Sequence, residues 1–158
     1  MKKLIGSLLG AAMLLSTPTV QAVTWDDGGL GNNNWSAAVN WAGDVGPVNG
    51  NPITFPSNLS GTAHNDIAAG LDVGGLTIAG SNYTIAGNSI DLSSSLLSSQ
   101  TSGTNIFSIP LVLATDVLVT VQNTGAFLQI KHKLLSIDKP QDEVVFRKCE
   151  CRFVGMWE

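Results

Sequence analysis

The chain has 158 residues, 44% of them hydrophobic and only 13% charged, with a formal net charge of −4. The charge is unevenly spread: after Lys2 and Lys3 the next basic residue is Lys131, so Val23 to Ile130 contains no Lys or Arg. A span without cations lacks the basic footprint that nucleic acid requires, and the length admits one modest domain.

The first 22 residues, MKKLIGSLLGAAMLLSTPTVQA, have a basic start, an apolar run from Leu4 to Leu15, and Val20-Gln21-Ala22 at the end. That is the layout of a secretory signal peptide. The run is about 12 residues, short of the roughly 20 that span a bilayer. Export is therefore expected, with cleavage after Ala22, a mature chain starting at Val23 and no membrane span after the leader is removed.

Next comes TWDDGGLGNNNWSAAVNW, Thr24 to Trp41, with three of the four Trp residues among Gly, Asn and Asp. Trp25, Trp35 and Trp41 admit two readings. Large aromatics usually anchor cores, and the first turn of a stacked repeat must cover its own open end. Alternatively the rings are exposed and stack on sugars. Burial separates the two. Ser36 to Trp41 is expected to form at most one helical turn.

Beyond the Trp segment, apolar triplets recur between turn residues. ITF lies between Pro52 and Pro56, and DIAAG follows Asn65. In LTIAGSNYTIAGNSIDLSS, Leu76 to Ser94, a seven-residue step appears: Leu76, Tyr83 and Ile90 share it, as do Ile78, Ile85 and Leu92. Each unit alternates apolar and polar residues, the mark of a half-buried strand, and Gly, Asn and Ser supply the bends. These six residues are the predicted core column. A coiled coil with the same step would need charged flanks and sustained Leu positions, which are absent. SSSLLSSQTSGT reads as a Ser-rich loop. NIFSIPLVLA is a strand at an edge or broken at Pro110, because proline removes a ladder donor. DVLVTVQ and AFLQIK alternate as strands.

Three such units make a rung of about 21 residues, and stacked rungs bury an aliphatic column. The expected fold is all-β, the start of a parallel β-helix or solenoid over residues 23–129, with an antiparallel β-sandwich as the alternative.

Residues 130–158 differ abruptly in composition, holding six of the eight basic residues, five of the twelve acids and both cysteines. This charged tail is either a cap that protects the last edge or a segment foreign to the domain. Cys149 and Cys151 are too few and too close for a disulfide framework, and neither a third Cys nor a His lies near them in sequence, so no metal is assigned.

The order of motifs, WDDGGLGNNNWSAAVNWAGDVGP, then the Pro-bounded ITF, then GGLTIAGSNYTIAGNSIDL, resembles exported bacterial proteins with autotransporter-associated β-strand repeats. The resemblance covers roughly Thr24 to Gln129. It implies a surface-exposed or extracellular β-solenoid passenger, usually much longer, without established catalytic residues. The iterated G-x-L-x-L-x-G unit, a C-terminal barrel and a sorting anchor are absent, so the chain reads as an N-terminal segment of such a passenger.

Chemistry-bearing residues are sparse. Asp26 and Asp27 are adjacent and point different ways on a strand. Asp44, Asp66, Asp72 and Asp91 offer partners, but no spacing selects a pair for glycoside hydrolysis, which needs two carboxyls facing one bond. His64 in AHND is expected to serve a turn. DDGGLGNNN has the oxygens of a calcium loop without its register. The leading expectation is an exported, non-enzymatic structural or adhesive solenoid without a cofactor. A carbohydrate-binding module using the three Trp residues and a polysaccharide-active enzyme are the alternatives. Cell-surface polysaccharide or other surface proteins are the candidate partners.

Overall fold

The computed structural model describes residues 20–113 and 117–131, and the backbone of three strands at 134–136, 146–147 and 152–153. Residues 1–19 of the leader, and Cys149 and Cys151, lie outside the described residues.

The chain winds into a β-solenoid. After β1 (Val23–Thr24), the first coil is β2 (Pro52–Phe55), β3 (Gly61–Asn65) and β4 (Leu71–Val73). The second is β5 (Gly75–Ile78), β6 (Tyr83–Gly87) and β7 (Ile90–Leu92). The third is β8 (Ser95–Ser98), β9 (Gly103–Phe107) and β10 (Leu111–Leu113), and the fourth is β11 (Leu118–Val121), β12 (Ala126–Ile130) and β13 (Leu134–Ser136). In the tail, β14 (Phe146–Arg147) and β15 (Arg152–Phe153) pair with β11 and β12.

Each strand of a coil joins a different sheet. The sheet orders are β1-β2-β5-β8-β11-β14, β3-β6-β9-β12-β15 and β4-β7-β10-β13. Every pairing between these strands is parallel, which rules out the antiparallel sandwich.

The seven-residue step has a different meaning from a vertical repeat. Leu76, Tyr83 and Ile90 belong to β5, β6 and β7, so they ring one coil on its three faces and do not stack on one another. The same holds for Ile78, Ile85 and Leu92. Stacking runs along the sheets, a little over twenty residues per coil: Ile53, Leu76, Leu96 and Val119 are register partners. Ala63, Ile85, Phe107 and Ile130 form a second row, and Leu71, Ile90 and Leu111 a third. All six residues of the expected column are buried. Alternation at period two places them inside on every face, because one residue in two of each short strand points inward.

Two elements depart from the sequence expectation. The Ser-rich stretch is no loop: its Ser95–Ser98 segment is β8. Leu96 fills the inner row, and Ser98 takes an inward place that Ile78 holds one coil below. A buried serine is tolerated because its hydroxyl donates to the Gln100 side-chain carbonyl, while Gln100 Nε2 donates to the Phe127 carbonyl at 3.0 Å. DIAAG is not a strand but part of the bend between β3 and β4. Pro110 breaks the long run, lying between β9 and β10, with its carbonyl accepting from the Ile90 amide at 3.1 Å.

The corners close with side-chain amides. Asn65 is fully buried; its Nδ2 donates to the Asn88 carbonyl at 2.9 Å and its Oδ1 accepts from the Ile67 amide at 3.1 Å. Gly87 stacks on it in register with φ +114°, and a Cβ there would lie 2.2 Å from the Asn65 carbonyl oxygen. Only glycine lets the second coil settle on the first at this corner.

Candidate functional site

The most elaborate local structure is the start of the solenoid, where the chain covers its own open end. Trp25, Trp35 and Trp41 meet there and are at most 1% exposed. Trp41 stands edge-on to both neighbours, with ring centroids 5.2 Å from Trp25 and 5.7 Å from Trp35. All three rings lie 5.9 to 6.4 Å from Phe55, which in turn is 5.3 Å from Tyr83. Edge-to-face pairs at such separations are favourable beyond the area they bury. The trio therefore stands over Phe55 as a plug on the column.

The loop that delivers these rings needs its Gly and Asn residues. Asp27 and Leu30 take left-handed backbone conformations, φ 56° and 46°. Asn40, fully buried, organises the turn: its Oδ1 accepts from the Gly29 amide at 2.8 Å, and its Nδ2 donates to the Asn32 and Asn34 carbonyls. A Cβ on Gly29 would stand 2.4 Å from Asn40 Oδ1, and one on Gly28 would stand 2.3 Å from the Val39 carbonyl. The one helical turn, Ala38–Asn40, then hands the chain to Trp41, whose Nε1 donates to the Trp35 carbonyl at 2.8 Å.

This segment also occupies the first edge of all three sheets. On the first, the Ala42 amide donates to the Thr24 carbonyl and the Asp26 amide to the Asn40 carbonyl, both at 2.8 Å. On the second, the His64 amide donates to the Asn33 carbonyl at 2.7 Å, and the Trp35 amide to the His64 carbonyl at 2.8 Å. On the third, the Gly50 amide reaches the Asp72 carbonyl at 2.9 Å, and Asn49 Oδ1 accepts from the Asp72 amide at 3.1 Å. Unpaired edges recruit other chains; here each first edge has a partner from within the chain.

A polar clasp ties the plug to the first coil. The Ser36 amide donates to Asp66 Oδ1 at 2.8 Å and its hydroxyl to Asp66 Oδ2. Burial pushes the Asp66 carboxyl up, but the Ser36 bonds, its own backbone amide and the nearby His64 outweigh that and hold it below its ordinary value. A depressed folded-state pKa contributes stability above the unfolded-state pKa, about 3.9, that is lost as pH falls through the folded value. Lowering the pH from 5 to below 3 should therefore weaken the plug in the unaltered protein. Asp66→Asn should cost roughly 0.5–1 kcal/mol at neutral pH and show a flatter stability profile across that window, read by urea unfolding. A parallel profile would mean that the clasp contributes nothing.

Tyr83 lies beneath Phe55 with its hydroxyl donating to the Pro56 carbonyl at 3.1 Å. Burial, with the Asp27 carboxylate second, pushes that hydroxyl well above the ordinary tyrosine range, so it stays protonated. Among the described residues two buried polar atoms at this end lack a hydrogen-bond partner, Trp35 Nε1 and Asp27 Oδ1. The Trp41 and Phe55 rings lie 5.7 and 5.9 Å from the Trp35 ring, and aromatic faces are weak acceptors for such a group.

Among the described residues no three carboxylates come together. Asp26, Asp44 and Asp66 are exposed, and His64 is an exposed residue whose backbone serves the second edge. Asp72 and Asp91 are register partners on the third sheet, half-buried on its outer face. A cavity of about 380 Å³ lies elsewhere, between residues 21–23 and the 42–51 loop, with Gln21, Ala22, Val23, Val45, Val48 and Asn51 in its wall and no carboxylate. No group of three His, Cys, Asp or Glu able to hold a metal occurs among the described residues. No helix among them is long and apolar enough to cross a membrane.

Of the residues singled out in sequence, the three Trp residues come together, but with no face open to a sugar ring. Sequence reasoning missed Phe55, Asn40 and the Ser36–Asp66 clasp. Phe55 had a signal, as the last residue of the Pro-bounded ITF; the clasp joins residues 30 positions apart and had none. The chain matches no protein-family model, no curated protein and no solved structure.

Proposed function

We propose that residues 23–129 are the capped leading segment of an exported, non-enzymatic structural or adhesive β-solenoid, of the kind carried by proteins with autotransporter-associated β-strand repeats. The observation that carries this reading is the closed first end: an aromatic plug and three partnered sheet edges leave elongation only in the direction of the later coils. Solenoids are stabilised coil against coil, and a terminal repeat that covers the column suits the outermost position of a long surface rod. The outward rows fit the same role. Thr24, Thr54 and Thr77 are register partners on one face, Thr62 and Thr84 on another, and no cation interrupts the span. Burial of Trp25, Trp35 and Trp41 takes away the support for a sugar-binding platform built on them.

Export is tested by replacing Leu8 and Leu9 with Asp. The unaltered chain should leave the cytoplasm and carry Val23 as its first residue. The variant should stay inside and uncut, because its apolar run falls below what a leader requires. Processing of the variant at Ala22 would overturn the leader assignment. Exported unaltered chain, incubated with cell-wall and capsular polysaccharides, should release no new reducing ends; release abolished by Asp91→Asn would overturn the non-enzymatic reading.

A further inference from the structure

The junction between leader and domain is built into the fold. Val23, the residue after the expected cut, is only 7% exposed and pairs in register with Ile53 of β2. Thr24, the next residue, pairs with Thr54, and its carbonyl accepts from the Ala42 amide at 2.8 Å. On the leader side, the Gln21 carbonyl accepts from Asn51 Nδ2 at 2.8 Å. Asn51 is itself buried and held by the Val48 amide, which donates to its Oδ1 at 2.7 Å. Gln21, Ala22 and Val23 line the cavity of about 380 Å³ together with Val45 and Val48. Gln21 and Ala22 are exposed, yet the backbone is held on both sides of the Ala22–Val23 bond, through the Gln21 carbonyl before it and the β1 pairing after it.

We infer that docking of β1 closes the Ala22–Val23 bond to proteolysis, so that leader removal and folding of the capped end exclude each other and removal must come first. This rests on the export reading above. A peptidase takes its substrate as an extended strand whose backbone groups bond to the enzyme, the geometry of strand addition. In the folded chain the Gln21 carbonyl and the Thr24 carbonyl are already spoken for, and the Val23 side chain is inside. The reaction itself needs only water: it adds across the amide, the C–N bond breaks, Ala22 keeps the oxygen as a carboxylate, and Val23 leaves as an amine that takes a proton. Access is what the fold withholds. A folded precursor can be cut only through a local opening that frees β1, and its rate then follows the population of that opened state.

The consequence is a timing device. A precursor that folds before it is cut keeps its leader. Once the cut is made, Asn51 Nδ2 loses the Gln21 carbonyl and the cavity loses two residues of its wall, while β1 keeps its pairing with β2.

The test uses the full 158-residue chain in detergent with a purified membrane leader peptidase that cuts after small residues. It is presented either folded or freshly diluted from urea, with the new Val23 terminus read by mass spectrometry. The chain diluted from urea should be cut at Ala22, and the folded chain about 100-fold more slowly or less, as expected for cleavage through local opening. Val23→Ala, which removes buried side-chain contacts of β1, should speed cutting of the folded chain about tenfold. Circular dichroism confirms that the variant is folded. Equal rates for folded and unfolded chains would overturn the exclusion while leaving the leader assignment intact. Absence of cutting at Ala22 in both forms would overturn the leader assignment, and the exclusion with it.

Discussion

Ile85→Asp should abolish cooperative folding. Ile85 is fully buried on β6, with Ala63 below it and Phe107 above it in register. It also faces the inner rows of the other two sheets, where Ile78 and Leu92 of the same coil are equally buried. A carboxylate at this point has no partner, since Val23 to Ile130 offers no Lys or Arg to meet it. An uncompensated buried charge costs about 3–5 kcal/mol, and loss of the isoleucine's packing adds to that. A domain of this size is stable by only about 5–15 kcal/mol. The position matters as much as the magnitude. In a solenoid each coil leans only on its neighbours, so a failed second coil separates the plug and first coil from everything later. Ile85→Val, by contrast, should cost about 1 kcal/mol. Urea titrations followed by circular dichroism check both. A midpoint for Ile85→Asp within error of the unaltered protein would mean that this side chain faces solvent and that the register of β6 is misassigned.

Ile85 also shows what could be read without coordinates. Alternation within each short unit was enough to place it inside, because a strand's two faces are set by parity. The meaning of the seven-residue step was not legible. A residue seven positions away can sit above its counterpart or around the corner from it, and local sequence is silent on the direction in which the chain turns. The direction is settled by β-pairing between residues about three units apart, such as Leu76 with Leu96.

The same limit explains β8. Ser98 and Gln100 satisfy each other and the Phe127 carbonyl, so polar residues fill inward places that a pattern search expects to be apolar. Asn105 is a parallel case: fully buried, it accepts from the Tyr83 amide and donates to the Gly80 carbonyl, both at 2.9 Å. Buried polar side chains are tolerated only with complete partners, and apart from the Ser98–Gln100 pair those partners lie more than twenty residues away. For the Trp-rich loop, the sequence announced three large rings in a tight turn. Whether they faced in or out depended on Phe55, Asn40 and the sheet edges they meet, none of which is a local property.

Trp41→Ala should unseat the plug with a cost of about 3–5 kcal/mol, the usual range for deleting a buried tryptophan. Trp41 is the centre of the trio, edge-on to both Trp25 and Trp35, and the variant loses both contacts together with the Nε1–H bond to the Trp35 carbonyl. Its backbone carries the turn from Asn40 to Ala42, which occupies the edge beside β1. Gly46, whose Cβ position lies 3.8 Å from Trp41 Cδ1, has no side chain to fill the void. The damage is therefore twofold: lost burial, and a first sheet edge free to pair with other chains. Aggregation should rise together with the loss of stability. Trp41→Phe keeps an aromatic over Phe55 and loses mainly the N–H bond and some area, so it should cost about 1–2 kcal/mol and aggregate no more than the unaltered protein. Unfolding midpoints and gel filtration at equal concentration distinguish the two variants. If Trp41→Ala elutes as the unaltered protein does, with a stability unchanged to within about 0.5 kcal/mol, the end of the column is held by something other than the plug, and the coils after it are stable without a cover.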